Sequence, residues 1–589
     1  MKFFFKRYFF LLDNQAKKQL PVLFFIFFFS SMLDVISMGL VMGFLALIVR
    51  FDTVIHKLPL SVQNTLNHFS NNEIIFSIGL FLISAFIFKA VFGILSQKKL
   101  VYFIARFSLR LKMRLMTDYQ NADYAFHLKQ NSAHLLNKIS LANSFSDGAL
   151  STLLNITSSL LVMIGMIGCL FVLHPIATFF LMFMVGLIFT TYEVFVKNKI
   201  LKMAKVMAMS GGEINKSIMQ ALGGLKEIRV LGREAFFLAK VKAASHQFSY
   251  TSAMCNSLQL IPRYAVESAA AIFLVILLFG AILAGMSPLN MIPTLGVFAT
   301  ACIRLLPTFS QLISQFTQLR ACNYSTVILY DEMNELEGKY KTTLNEIATD
   351  KRLKFSQFSL QNASFCYDKA TFNALTNINL TLFHGQSIGL MGSSGAGKST
   401  LISAILTLLI PDSGELLVDG APVKNIRQWL NNFAYIPQSI FLLDETMKRN
   451  IALGTEDDQI DDQKLNKAIE MAQLSEVVAG LPQGVNTLIG ENGIRLSGGQ
   501  RQRVALARAF YYEREIIIMD EATSSLDNET EHEVINAIKS LHGVKTLIVI
   551  AHRLSTIQHC DVIYKLAQGK IVAQGSFDEV LSSHQGISV

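Results

Sequence analysis

Six long apolar stretches in the first half of the chain constrain its fold more than any other feature. They run over roughly 20–49, 74–97, 149–173, 175–196, 262–284 and 289–313, each near or above the ~20 residues a helix needs to cross a bilayer. In hydrocarbon, backbone N–H and C=O groups find no water, so an isolated spanning segment satisfies them internally as a helix. The first stretch is too long for a signal-peptide core and reads as a retained span, although Lys2, Lys6 and Arg7 precede it. Hydrophobic residues make up 51% of the 589 residues and charged residues only 16%. That is the balance of a membrane protein carrying a soluble domain, and the length predicts two or more domains.

The segments between the spans differ in charge. Residues 50–73, the turn at His174-Pro175 and residues 285–288 are short or poor in cations. Residues 98–148 carry Lys98, Lys99, Arg106, Arg110, Lys112, Arg114, Lys129 and Lys138, and residues 197–261 are as basic. Lys/Arg-rich loops stay cytoplasmic, so both termini and both long loops face the cytoplasm. Both loops have helix-forming composition continuous with the spans beside them. They are expected to project as helices, each interrupted by a short segment, near Asp118–Tyr124 and near Gln220–Leu231. On the outer side, residues 58–69 read as a short amphipathic helix.

The net charge is +9, but no compact Lys/Arg run or aromatic-basic recognition motif occurs. Nucleic acid is therefore not an expected partner. Cys169, Cys255, Cys302, Cys322, Cys366 and Cys560 lack C-x-x-C spacing, so neither a zinc site nor a disulfide framework is indicated. Asp34, Lys89, Glu193, Glu267 and Arg304 fall inside the spans, and Arg263 begins the fifth. Charges there are costly and usually face a partner or a cavity. Two readings stand open: structural ion pairs, such as Lys89 or Arg304 with Asp34 or Glu267, or a cationic lining that receives an anionic substrate. Glu193 and Arg263 can also snorkel to the surface.

Beyond residue 314 the chain turns polar and helical, and from about Phe355 short strands and helices alternate, as in an α/β nucleotide-binding domain. Its centre is Gly392-Ser393-Ser394-Gly395-Ala396-Gly397-Lys398-Ser399, which fits G-x-x-x-x-G-K-[ST] between an apolar strand and an apolar helix. Glycines let the backbone N–H groups curl toward phosphate oxygens, and the helix N-terminus adds its positive end. Lys398 would reach the β- and γ-phosphates of ATP, and the Ser399 hydroxyl would help hold Mg²⁺. Glu515–Glu521 reads as a buried strand ending in two carboxylates. Asp520 is placed for Mg²⁺, and Glu521 is placed to polarise the attacking water as general base. Gln438, in Tyr435-Ile-Pro-Gln438, offers a side chain to Mg²⁺ or the water, and His552 offers one to the γ-phosphate.

Leu496-Ser497-Gly498-Gly499-Gln500 resembles the signature of the ATP-binding-cassette family, and it stands in family order with the phosphate loop, Gln438, Asp520-Glu521, Ser525-Leu-Asp527 and His552. Six spans followed by one cassette resemble an ABC exporter half-transporter over the whole chain. The resemblance implies a transmembrane domain at 1–320, a connector at 321–352 and a nucleotide-binding domain at 353–589. It implies a homodimer whose two cassettes pack head to tail, with ATP hydrolysed at two equivalent sites. Tyr367 should stack on adenine. Ser393, Ser394, Gly395, Ala396, Gly397, Lys398, Ser399 and Thr400 should cradle phosphate and metal. Ser497, Gly498, Gly499 and Gln500, with Asp527, should close over the partner's nucleotide. Gly490-Glu491-Asn492-Gly493 resembles the segment that feels the coupling loops. An importer is disfavoured, because importers usually carry membrane and cassette parts on separate chains.

The block Ile261-Pro262-Arg263-Tyr264…Glu267, with Lys89 in Phe86-Ile-Phe-Lys89 and Arg304 in Cys302-Ile-Arg-Leu-Leu-Pro307, resembles bacterial flippases of polyprenyl-diphosphate-linked oligosaccharides used in protein glycosylation. The resemblance implies that Lys89, Arg263 and Arg304 receive the diphosphate of a lipid-linked oligosaccharide at the bacterial inner membrane. Lys89 stands where arginine is expected; it keeps the charge but loses the bidentate fork. An exporter of another lipid, a drug or a peptide is the alternative, and a non-transporting ABC ATPase a remote one.

Overall fold

The computed structural model of the chain describes residues 2–49, 70–173, 175–283, 288–339, 351–368, 370–520, 543–550 and 554–582. The amphipathic helix expected at 58–69 lies outside them. The chain divides into two compact units, one formed by Met1–Gln120 with Lys129–Tyr340 and the other by Asn121–Leu128 with Lys341–Val589.

The first unit is all helix among its described residues. Its elements are α1 (Lys2–Leu11), α2 (Asn14–Val49) and α3 (Asn71–Asn121); after the short α4 (Tyr124–Lys129) come α5 (Ser132–Asn143) and α6 (Ser151–Leu173), then α7 (Pro175–Gly223), α8 (Leu225–Val230), α9 (Glu234–Leu283) and α10 (Pro288–Lys339). Each apolar stretch lies on one of these helical runs. Five runs, Asn14–Val41, Asn72–Asn121, Ser132–Val172, Pro175–Gly223 and Glu234–Gly280, are long and apolar enough to cross a membrane. The sixth stretch begins α10, where most side chains lie outside the described residues. With 51 residues, α3 is about 77 Å long, more than twice the ~30 Å hydrocarbon thickness, so its basic end projects well beyond a bilayer.

The short helix α8 lies within the second expected interruption, 220–231, whereas residues 118–121 of the first still belong to α3 and α4 begins only at Tyr124. In contrast, α10 continues unbroken to Lys339. Residues 321–339, read as the start of a connector, are the last turns of the sixth long helix. The change to polar residues at 314 marks departure from apolar surroundings, with no break in the backbone.

Between α5 and α6 the helix widens into a π-turn, Ser144–Leu150, which buries Phe145, Ser146, Ala149 and Leu150. Gly148 lies against Cys322 Sγ on α10 so closely that a Cβ there would collide with it. Phe145 packs on Tyr8 and Phe107, with ring centroids 5.3 and 6.0 Å apart. Long helices are further tied by ion pairs: Arg110 Nε donates to Asp13 Oδ2 at 2.7 Å, and Lys138 Nζ donates to Glu332 Oε2 at 2.6 Å, with Tyr119 Oη donating to Glu332 Oε1 at 3.2 Å. Arg114 pairs with Glu337.

The second unit is α/β. Its core sheet has the order β10-β9-β3-β8-β7-β6, built from β3 (Ser387–Met391), β6 (Phe433–Ile436), β7 (Ile516–Asp520), β8 (Thr546–Ile550), β9 (Val562–Ala567) and β10 (Lys570–Gly575). All neighbours pair in parallel except β10 with β9. The strands β7 and β8, Ile-Ile-Ile-Met-Asp and Thr-Leu-Ile-Val-Ile, are buried throughout, as expected of parallel strands covered on both faces. A second, antiparallel sheet runs β2-β1-β4-β5, from β1 (Gln357–Phe365), β2 (Leu375–Phe383), β4 (Ser413–Val418) and β5 (Ala421–Pro422). Asn121–Leu128 belongs to this unit, and Ala125 packs against its core.

Trp429 is the only tryptophan of the chain. It is fully buried among Phe355, Phe358 and Phe433, and its Nε1 donates to Ile405 O at 2.9 Å. Its emission is therefore expected at short wavelength in the native protein, shifting red in denaturant as the second unit unfolds. A native spectrum like that of free indole in water would refute this core. Trp429→Ala is expected to destabilise the unit by about 3–5 kcal/mol in denaturant titration.

Candidate active site

Strand β3, buried from Ser387 to Leu390, delivers the chain to Gly392 at its carboxyl end. Gly395 and Gly397 then adopt φ of 79° and 103°, a region that L side chains rarely enter. At Gly397 a Cβ would also lie 2.8 Å from Ala374 O, so only glycine fits this cradle. Helix α11 (Lys398–Ile405) begins immediately, and its N-cap, Gly397, supplies no side-chain acceptor. The first-turn N–H groups are left facing the loop, as an anion site requires. Lys398 is buried, and its ammonium donates to Gly392 O at 2.8 Å and Ser393 O at 3.0 Å. It is thus held over the concave side of the loop. Ser393, Ser394 and Ser399 are exposed, whereas Ala396 is buried and fixes the loop to the core. Tyr367 is partly exposed beside the loop, its hydroxyl 3.1 Å from Thr400 Oγ1.

Asp520 ends β7 at the same edge of the sheet. It pairs in register with Ile550 of β8, which pairs with Leu390 of β3. Two ladder spacings, about 10 Å, therefore separate the carboxylate's strand from the one that feeds the phosphate loop. Tyr435 of β6 donates its hydroxyl to Asp520 Oδ2 at 3.3 Å. Burial, and then the Asp520 charge, push the Tyr435 phenol above its ordinary range, so it stays a donor at neutral pH. Gln438 follows β6 by two residues and is exposed. Among the described residues no cluster of three His, Cys, Asp or Glu side chains could hold a metal. Glu521, Asp527 and His552 lie outside the described residues.

Helix α12 (Gly498–Tyr511) carries the Ser-Gly-Gly-Gln motif at its start. Ser497 Oγ accepts from Gln500 N at 3.2 Å, and Ser497 N donates to Gln500 Oε1 at 2.9 Å. This is a capping box, and it fixes the glycines Gly498 and Gly499 at an open helix N-terminus. The S-x-x-Q spacing made that box readable from sequence. The Tyr435–Asp520 bond had no comparable signal, because it depends on two strands becoming neighbours.

The cations assigned to substrate are arranged differently. Lys89 Nζ lies 2.5 Å from Asp34 Oδ1 and donates to Ser37 Oγ at 2.9 Å. Arg263 pairs with Glu267 at 3.0 Å, one helical turn away, and both are exposed. The Arg304 side chain lies outside the described residues. Glu193, read as free to snorkel, accepts from Nη1 and Nη2 of Arg320 at 2.6 and 2.5 Å.

The family profile described as "ABC transporter" matches residues 375–524, and that described as "ABC transporter transmembrane region" matches residues 20–305. The chain is 28% identical over 527 residues to the ATP-dependent lipid A-core flippase of Photobacterium profundum, and 29% identical over 515 residues to that of Salmonella typhimurium. Each alignment covers 86% of both chains. Over 227 residues, 38% of each chain, it is 40% identical to the ATP-dependent lipid A-core flippase of Cupriavidus pinatubonensis. A bacterial Atm1-family ABC exporter solved with ATP bound superposes with a TM-score of 0.76 over 98% of both chains at 20% identity, a likeness of fold.

A multi-pass membrane protein with a cytoplasmic ATPase domain is therefore the class. The chain belongs to the ABC transporter family, as an exporter half-transporter that couples ATP hydrolysis to transport.

Because Lys398 is the buried cation of the loop, Lys398→Ala is expected to weaken ATP binding at least about 100-fold, read with a fluorescent ATP analogue, while the far-ultraviolet spectrum is unchanged. Equal affinity in the variant would remove Lys398 from the site.

Proposed function

We propose that two copies of this chain form a homodimer in the bacterial inner membrane and flip a polyprenyl-diphosphate-linked oligosaccharide from the cytoplasmic to the outer leaflet. The observation that carries the substrate class is a cation, Lys89, set near the middle of an apolar span, in a chain whose full-length relatives are lipid flippases. In this reading ATP and Mg²⁺ sit between the phosphate loop of one cassette and the capped helix N-terminus at Ser497–Gln500 of the other. The cradle at Gly395–Thr400 holds the phosphates and Tyr367 packs on the base. Ser399, Gln438 and Asp520 hold the metal. Glu521 draws the proton from the attacking water, His552 steadies the γ-phosphate, and Asp527 lies along the closed interface. Clamping turns the long helices from inward- to outward-open through the short helices of the two basic loops, and hydrolysis resets them.

The relatives' names favour a second reading, in which the cargo is a lipid A-core glycolipid. Both are tested by ATP-dependent movement of each fluorescent lipid across proteoliposomes, comparing wild type with Glu521→Gln and Arg304→Ala. The proposal expects the polyprenyl-diphosphate lipid to move in wild type. Glu521→Gln should reduce that movement at least about 100-fold, a loss of ~2.7 kcal/mol or more in the barrier, and Arg304→Ala about tenfold. Movement of the lipid A-core glycolipid alone would replace the substrate.

A further inference from the structure

Asp34 and Lys89 form a charged cluster inside the membrane-spanning part of the first unit. Asp34 sits at the midpoint of its apolar stretch and Lys89 about 5 Å from the midpoint of the next, at 1.5 Å per residue. Helices α2 and α3 run antiparallel here in a fixed register, since equal numbers of residues separate Asp13 from Asp34 and Lys89 from Arg110, the other ion pair joining them. The ammonium of Lys89 meets the Asp34 carboxylate at 2.5 Å and the Ser37 hydroxyl at 2.9 Å, and it lies 5.7 Å from the centre of the Phe86 ring. Ser37 Oγ in turn donates to Asp34 O at 2.8 Å, one turn of α2 away. The two charged side chains are largely buried, 16% exposed for Lys89 and 22% for Asp34.

As a clamp, this cluster is poorly suited. Taking two charges out of water costs several kcal/mol, and a well-packed apolar pair would hold the same two helices at least as well. The pair Arg110–Asp13, outside the apolar stretches and 28% and 27% exposed, already ties the same two segments. Nor does the cluster attract anions as it stands, because Asp34 cancels Lys89.

We infer that Asp34 is an exchangeable counter-ion that sets which lipid headgroups Lys89 accepts. This rests on the reading of the cargo as a glycolipid with a diphosphate. A headgroup that binds the Lys89 ammonium competes with the Asp34 carboxylate for it, and loosening that ion pair is costly in apolar surroundings. A zwitterionic headgroup carries its own cation and offsets little of that cost. A single phosphodiester brings one negative charge, equal to the one it displaces. A diphosphate brings more charge and more acceptor oxygens, and it takes the lysine from the carboxylate. Asp34 thereby acts against the abundant bilayer lipids, so selectivity comes from a built-in competitor as well as from attraction.

The test is lipid-stimulated ATPase activity of the full chain in nanodiscs, titrated with a polyprenyl-diphosphate oligosaccharide, with phosphatidylglycerol and with phosphatidylethanolamine. Wild type responds to the diphosphate lipid and not to the other two. In Asp34→Asn the half-stimulating concentration of the diphosphate lipid falls about tenfold, and phosphatidylglycerol now stimulates. A purely structural ion pair predicts the opposite sign: lower thermal stability and no gain for any lipid. Unchanged or weaker response in Asp34→Asn overturns the counter-ion role. Should that variant fail to fold, the neutral pair Asp34→Asn/Lys89→Gln decides. Its preference for diphosphate over phosphatidylglycerol should disappear, and wild-type preference in it overturns the proposal. Wild type that moves the glycolipid while Asp34→Asn gains nothing removes the counter-ion and leaves the flippase reading standing. Wild type that does not move the glycolipid while Asp34→Asn gains a response to phosphatidylglycerol removes the substrate class and supports the counter-ion.

Discussion

The low dielectric of the bilayer governs how the first unit uses charge. Its backbone is satisfied by six helical runs, so side chains are the only groups left to place at a cost. Three carboxylates within the spans are answered by cations: Asp34 by Lys89, Glu193 by Arg320, Glu267 by Arg263. The pairs are not equivalent. Arg263–Glu267 is exposed and lies within one helix, which makes it weak and replaceable. Arg320–Glu193 is bidentate between α7 and α10, and it carries both charge and orientation. Lys89–Asp34 joins two spans near their midpoints through an ammonium, without the guanidinium fork.

At the cytoplasmic end the same logic gives mechanical continuity. Glu332 on α10 is buried and receives both Lys138 from α5 and Tyr119 from the end of α3. Those two helices precede and follow α4 in the chain, so a carboxylate on the last long helix gathers the two sides of the first basic loop. Burial pushes the carboxyl of Asp118, beside Tyr119, above its ordinary value, with Arg114 opposing that shift. Displacing α3 from α10 would take Tyr119 from the buried Glu332, and displacing α5 would take Lys138; a buried carboxylate stripped of its cation is costly enough to tie these helices together.

Much of this was legible because its signals are local. The spans follow from hydrophobic length, the orientation from cation counts, and the phosphate loop from glycine spacing that only a left-handed backbone explains at Gly395 and Gly397. The breaks at α4 and α8 were readable from the change in composition near residues 118–124 and 220–231. What escaped depends on neighbours distant in sequence. Lys89 had two candidate acidic partners, and only the register of α2 against α3 selects Asp34. Glu193 needed Arg320, which lies beyond the sixth apolar stretch, 127 residues away in sequence. The π-turn at Ser144–Leu150 has one sequence trace, Gly148, whose meaning appears only when Cys322 is found against it.

The ATPase unit shows how a motif can be read correctly in kind yet incompletely in physics. Ser497 and Gln500 were assigned to a nucleotide through family order, but in this chain they first hydrogen-bond each other. That reciprocal cap satisfies the end of α12 without filling the space in front of Gly498 and Gly499, and leaves the helix dipole aimed outward. At the phosphate loop the opposite device is used. Gly397 caps α11 with no side chain at all, so the first-turn N–H groups remain open. Two helix N-termini are thus prepared for anions by different means, one stiffened by a side-chain box and one opened by glycine. Lys398, bonded to the loop's own carbonyls, holds the second in shape. The geometry of both is set by bonds within the chain, so each helix end is largely preorganised.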